Sequence, residues 1–166
     1  MKNQIREIIT RAIIAKGKKK TIHNYTFDLD KIDKVLGCWI TNHQSDGLLK
    51  QNKALVEGSY EVHIWYSLNN QKESALFKTV IEYDEILDTM KKDERDFNDQ
   101  DTIKVKILKQ PTCSKIHLNQ KTIQIEIEKY LEVQVIGDTC IRVKAMEEDE
   151  MWLDDEFGHI NENFIK

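Results

Sequence analysis

The sequence predicts an all-β fold, an antiparallel β-sandwich or partly closed barrel with a short connecting helix and an acidic C-terminal tail. Three observations carry this prediction. Apolar and polar residues alternate with a period of two in several separate runs, β-branched residues dominate those runs, and the turn signals Asn69-Asn70 and Asn119-Gln120 lie between them. An alternating strand offers one face to a core and one to water, and a single such layer must bury its apolar face against another.

The opening is ambiguous by pattern, since Ile5, Ile9, Ala12 and Ile13 would also line one side of a helix. Its β-branched content and the stop at Ala15-Lys16-Gly17 favour a strand. In residues 58–67, Val62, Ile64 and Tyr66 share one face, while Glu61, His63 and Trp65 share the other. Beyond Asn69-Asn70, residues 74–80 return as the second arm of a hairpin. Tyr83, Ile86, Leu87 and Met90 fit a helical face, so a short helix or irregular connection is expected before the polar stretch 91–100. Alternation then resumes in Ile103, Val105, Ile107, in Ile123, Ile125, Ile127, in Leu131, Val133, Val135 and in Ile141, Val143. The first two of these sets are the predicted core. Gln110-Pro111-Thr112-Cys113 reads as a turn entering a strand, and Gly17, Gly58 and Gly137 mark strand edges with tight turns or bulges. An acidic run from residue 146 to 157 would make a marginal helix that needs tertiary contacts. The expected division is a β-rich assembly domain, 1–145, and an acidic, aromatic-containing interaction segment, 146–166.

Composition narrows the class. The 166 residues are 40% hydrophobic and 33% charged, with six glycines and one proline, which excludes collagen-like and wholly disordered chains. No run approaches the roughly 18 apolar residues of a membrane-spanning helix, and early charge at Lys2, Arg6 and Glu7 is unlike a signal peptide. Cys38, Cys113 and Cys140 are an odd number without close spacing and are expected to be free thiols of a reducing compartment. The net charge of -4 hides a gradient: seven bases against one acid in the first twenty residues, eight acids against one base from residue 147 onward. A nucleic-acid binder spreads positive charge over a face, whereas Lys16, Lys18, Lys19 and Lys20 form one short cluster, so nucleic acid is not an expected partner. Ends of opposite sign can pair between neighbouring copies, although a solvated tail explains the same charges.

Catalytic signals are weak. His23, His43, His63, His117 and His159 are scattered singly, and neither Cys38 with His43 nor Cys113 with His117 makes a four-ligand zinc signature. Cys113 with His117 or His43 as base would be a thiol nucleophile only in a polarised, partly exposed setting, and a buried thiol is the ordinary reading there. There is no phosphate-binding or dinucleotide glycine pattern. No catalytic residue, cofactor or metal is therefore assigned. The C-terminal segment is more informative: Trp152, Leu153, Phe157, Phe164 and Ile165 are set among Glu147-Glu148-Asp149-Glu150, Asp154-Asp155-Glu156 and Glu162. Large apolar anchors spaced through acids suit docking on a basic-rimmed groove of another chain. The competing reading is that they pack back on their own domain.

Across residues 6–165 the chain resembles the CotE family of outer spore coat morphogenetic proteins. The resemblance rests on Arg6-Glu7-Ile8-Ile9-Thr10, Ala15-Lys16-Gly17, Leu36-Gly37-Cys38-Trp39-Ile40 with Asn42-His43, Val56-Glu57-Gly58 and Trp65-Tyr66-Ser67. It continues through Gln110-Pro111 with Cys113, Val135 with Gly137, and Ile160-Asn161 with Phe164. It implies a protein that is not an enzyme and that works as a self-associating scaffold. Its implied place is the mother-cell cytoplasm at the forespore surface and then the outer spore coat. The implied partners are further copies of itself, inner coat assembly proteins and other spore coat proteins recruited partly by the acidic end, with no direct membrane insertion. The shorter, less continuously acidic end and the stretch 91–100 depart from the family. The alternative is a carbohydrate- or small-ligand-binding β-sandwich with Trp39, Trp65 and Tyr66 as a platform, against which simple sheet packing of those rings is favoured.

Overall fold

Long strands account for nearly all of residues 4–145, the part that the computed structural model describes. They are β1 (Gln4–Asp28), β2 (Lys34–Lys50), β3 (Lys53–Leu68), β4 (Glu73–Leu87), β5 (Met90–Lys91), β6 (Thr102–Asn119) and β7 (Thr122–Ala145). They form two antiparallel sheets, ordered β5-β1-β7-β6 and β2-β3-β4, and neither closes into a barrel. The chain divides into two units, Arg11–Thr139 and a smaller one to which residues 4–10 and 140–145 belong. In the second unit the described ends of β1 and β7 carry an ion pair, Arg142 Nε donating to Glu7 Oε1 at 3.0 Å.

Within Arg11–Thr139 the apolar faces of both sheets share one core. Ala54, Val56, Tyr60, Val62 and Ile64 of β3 meet Ile123, Ile125, Ile127, Leu131 and Val133 of β7, and Ile103, Val105 and Ile107 of β6 pack around them. The predicted core faces inward as alternation requires. Tight turns set the register. Asn69, Asn70 and Gln71 between β3 and β4, and Gln120 between β6 and β7, have positive φ, as do Gln51 and Asn52 between β2 and β3. That last pair has the conformation of a two-residue hairpin turn whose twist matches its strands, and it places Lys50 opposite Lys53.

Two expectations are corrected. Tyr83, Ile86 and Leu87 lie in β4 rather than in a helix, because Tyr83, Glu85 and Leu87 are the inward residues and the inward acid disguises the alternation. Pro111 does not precede a strand. It lies inside β6, where the pairing with β7 slips between Lys109 and Thr112; a bulge on a sheet-edge strand tolerates the missing N–H. The polar stretch 91–100 is ordered by buried Asp101, which accepts two 2.7 Å bonds from the Arg95 guanidinium and one from the Asn98 N–H at 2.9 Å. The residues expected to form the acidic tail, 146–166, lie outside those described.

Candidate interaction surface

Between the sheets the core is partly polar. Lys129 Nζ of β7 lies 2.5 Å from Glu85 Oε1 of β4, with side chains only 2% and 3% exposed, and the same ammonium sits 4.1 Å above the Tyr83 ring. His23 Nε2 is 3.6 Å from that carboxylate oxygen. The hydroxyls of Tyr25 and Tyr60 join β1 to β3 at 3.2 Å. His43 of β2 bonds Gln110 Oε1 of β6 through Nδ1 at 2.8 Å and the Tyr83 hydroxyl through Nε2 at 2.6 Å. Burial, against the Gln110 bond, holds the imidazole below its ordinary pKa, so neutral His43 donates from Nδ1 and accepts from Tyr83. Burial and the nearby Glu85 charge push the Tyr83 phenol up to about 12. Gly58 makes the His43–Tyr83 bridge possible: a Cβ there would come within 2.5 Å of both the Tyr83 hydroxyl and the Gln44 carbonyl. This cluster, buried at Glu85 and Lys129 and reaching the surface at Gln110, ties the two sheets together.

The open chemistry is on the outer faces. On β2-β3-β4 the register sets outward residues in rungs. Asp46, Glu57 and Asp84 stand directly opposite one another, with Glu82 one rung away, around a hollow of about 500 Å³. Like charges directly opposite destabilise a sheet, and among the described residues no base pairs with any of the four. Towards one end of the same face Trp39 and Trp65 are 52% and 41% exposed and meet edge to face, ring centres 6.2 Å apart at 79°. Leu76 and Val80 are exposed beside them, and Leu48 and Ile86 at the other end.

The outer face of β1-β7-β6 has the opposite character. A row of glutamates on β7 is overlaid from both flanks by lysines. Glu132 is approached by Lys16, Lys18 and Lys106 at 3.5, 3.4 and 4.0 Å, Glu128 by Lys20 and Lys109 at 2.6 and 2.9 Å, and Glu126 by Lys115 at 3.2 Å. The carboxylates are 5–20% exposed and the lysine side chains 45–77%, so the ammonium groups form the outer surface and outnumber the acids beneath. The Ser114 hydroxyl and Lys115 hold the Glu126 carboxyl below the usual range, and Lys20 and Lys109 do so for Glu128. At Glu132 burial, the largest single influence, pushes up, but the Gln134 bond with Lys16 and Lys18 still holds it low.

The aromatic platform residues are therefore placed on two levels. Trp39 and Trp65 are surface side chains, not packing within the core, while Tyr66 is half-buried. Perpendicular indoles give no single flat bed for a sugar ring. Cys38 of β2 and Cys113 of β6 are half-buried free thiols, Cys140 an exposed one. The Cys113 thiol bonds the Lys115 carbonyl at 3.4 Å, and the side-chain hydrogen bond between Cys38 and Cys113 lowers the Cys113 pKa while raising that of Cys38. His43, a candidate base, is engaged by Tyr83 and Gln110 instead. Among the described residues no three His, Cys, Asp or Glu side chains converge as metal ligands. Trp152, Leu153, Phe157, Phe164 and Ile165 lie outside the described residues. Sequence reasoning missed the acidic rungs. The Gln51-Asn52 turn was the available signal, since it fixes Asp46 opposite Glu57.

Residues 4–166 match the family of outer spore coat protein E (CotE). The chain belongs to the CotE family. No curated protein and no solved structure matched the chain. CotE is a structural family of the spore coat, and an outer face that exposes tryptophans among uncompensated acids suits contact with other proteins.

Proposed function

We propose that this CotE-family chain is a non-enzymatic morphogenetic scaffold of the outer spore coat that self-associates and recruits other coat proteins. The observation that carries the reading is the exposed face of β2-β3-β4. It exposes two tryptophans, and aromatic anchors supply most of the energy at protein interfaces. The chain would act first in the mother-cell cytoplasm, at the forespore surface beside inner coat assembly proteins, and then persist in the outer coat.

Recruitment is assigned to the segment 146–166, with 1–145 as the assembly domain. Trp152, Leu153, Phe157, Phe164 and Ile165 are the anchors, and the surrounding acids steer. An aromatic anchor buried at a partner surface contributes about 2 kcal/mol or more, an exposed ion pair under about 1 kcal/mol. Capture of coat proteins should therefore fall further in Trp152→Ala/Phe157→Ala than on neutralising Glu148 and Asp149. Thermal unfolding measured beside the pull-down separates lost anchoring from lost folding. Unchanged capture by the stably folded double variant would sink the anchor assignment.

A further inference from the structure

We propose that the acidic, tryptophan-bearing outer face of β2-β3-β4 docks on the lysine-covered outer face of β1-β7-β6 of a second copy, so that copies add head to tail. The inference rests on the self-association reading and names the two surfaces involved. Charge complementarity is the first argument. Asp46, Glu57, Glu82 and Asp84 lack a compensating base among the described residues, while the opposite face holds lysines in excess over Glu126, Glu128 and Glu132. Lysine also suits the rest of the acidic face, because an ammonium group is drawn to exposed indole rings such as Trp39 and Trp65.

Size and alternatives agree. β3 has 16 residues; at about 3.4 Å per residue, with neighbouring strands about 4.8 Å apart, the three-stranded face covers roughly 54 by 14 Å, on the order of 800 Å². That is about the area each partner contributes to a standard stable interface. Edge-to-edge pairing is hindered on β6, which carries Lys104, Lys106, Lys109 and Lys115, and on β2, whose pairing with β3 slips twice. Because the two faces are different surfaces, the contact is heterologous and leaves one free face of each kind on every assembly. Such contacts grow into open arrays unless rotation closes a ring.

The test uses two variants of the full chain: Asp46→Lys/Asp84→Lys, which spoils only the acidic face, and Lys18→Gln/Lys106→Gln, which spoils only the lysine face. Sedimentation velocity at matched concentration should show self-association at least tenfold weaker for each alone. Mixed, they should form a 1:1 complex and nothing larger, because one intact face of each kind remains, and 0.5 M salt should dissolve it. Formation of the complex also certifies that both variants are folded. Should Asp46→Lys/Asp84→Lys fail to fold, Trp65→Ala replaces it, removing an exposed side chain from the same face. A wild-type chain that associates while either folded variant matches it overturns this interface and leaves self-association standing. Failure of the folded pair to complement also overturns it. Association lost on neutralising Glu148 and Asp149 and in Lys18→Gln/Lys106→Gln, but kept in folded Asp46→Lys/Asp84→Lys, overturns the acidic-face contact and assigns the lysine face to the tail. A monomeric wild-type chain overturns both readings.

Discussion

Lys129 and Glu85 form an ion pair buried between the sheets. Two charges almost removed from water are costly, and their attraction repays that cost only while both are present. Lys129→Met should therefore leave the Glu85 carboxylate stranded and destabilise the fold by about 3–5 kcal/mol. The double variant Lys129→Met/Glu85→Leu should recover most of that loss, since matched apolar replacements of buried pairs are often neutral or stabilising. Urea unfolding of the single and double variants measures the difference. Recovery of nothing would mean that the pair is held by its Tyr83 and His23 neighbours rather than by mutual compensation. The same pair limits what can be read from the sequence. An inward lysine between Ile127 and Leu131, and an inward acid between Tyr83 and Leu87, both break the apolar period that identifies a buried face.

At the scale of elements, Gly58 couples β2, β3 and β4. Its missing side chain leaves room for Tyr83 to cross β3 and reach His43, so Gly58→Ala should cost about 1–3 kcal/mol through overpacking. Tyr83→Phe keeps the ring but loses the hydrogen bond and should cost about 1 kcal/mol. Thermal or urea melts rank the two, and a neutral Gly58→Ala would show that the ring does not lie there. Strands were legible wherever the inward set was uniformly apolar, as in Ile123, Ile125 and Ile127 of β7 or Val62 and Ile64 of β3. The ambiguous opening resolved as β1, in line with its β-branched content. Pro111 was misread because a proline is compatible with a strand only at a bulge or edge, and nothing local reveals which strand will be the edge. The acidic rungs were hard to read for a different reason, because only a turn assignment at Gln51-Asn52 would have set the first of them. Asp46, Glu57 and Asp84 are far apart in sequence and meet only through register, which two hairpin turns determine.

At the scale of the whole molecule, charge separates by face rather than by chain end alone. The basic cluster that begins at Lys16 joins lysines of β6 over the glutamates of β7, and the aromatic motifs around Trp39 and Trp65 reach the surface of the other sheet. Both features suit the assembly role proposed for this CotE-family chain. The most direct test of that account is solution mass, measured by sedimentation equilibrium in reducing buffer from below one to tens of micromolar protein and at low and high salt. The account predicts dimers or larger species at micromolar concentration that dissociate as salt screens the charged faces. A mass that stays monomeric across the whole range of concentration, salt and moderate pH would contradict it.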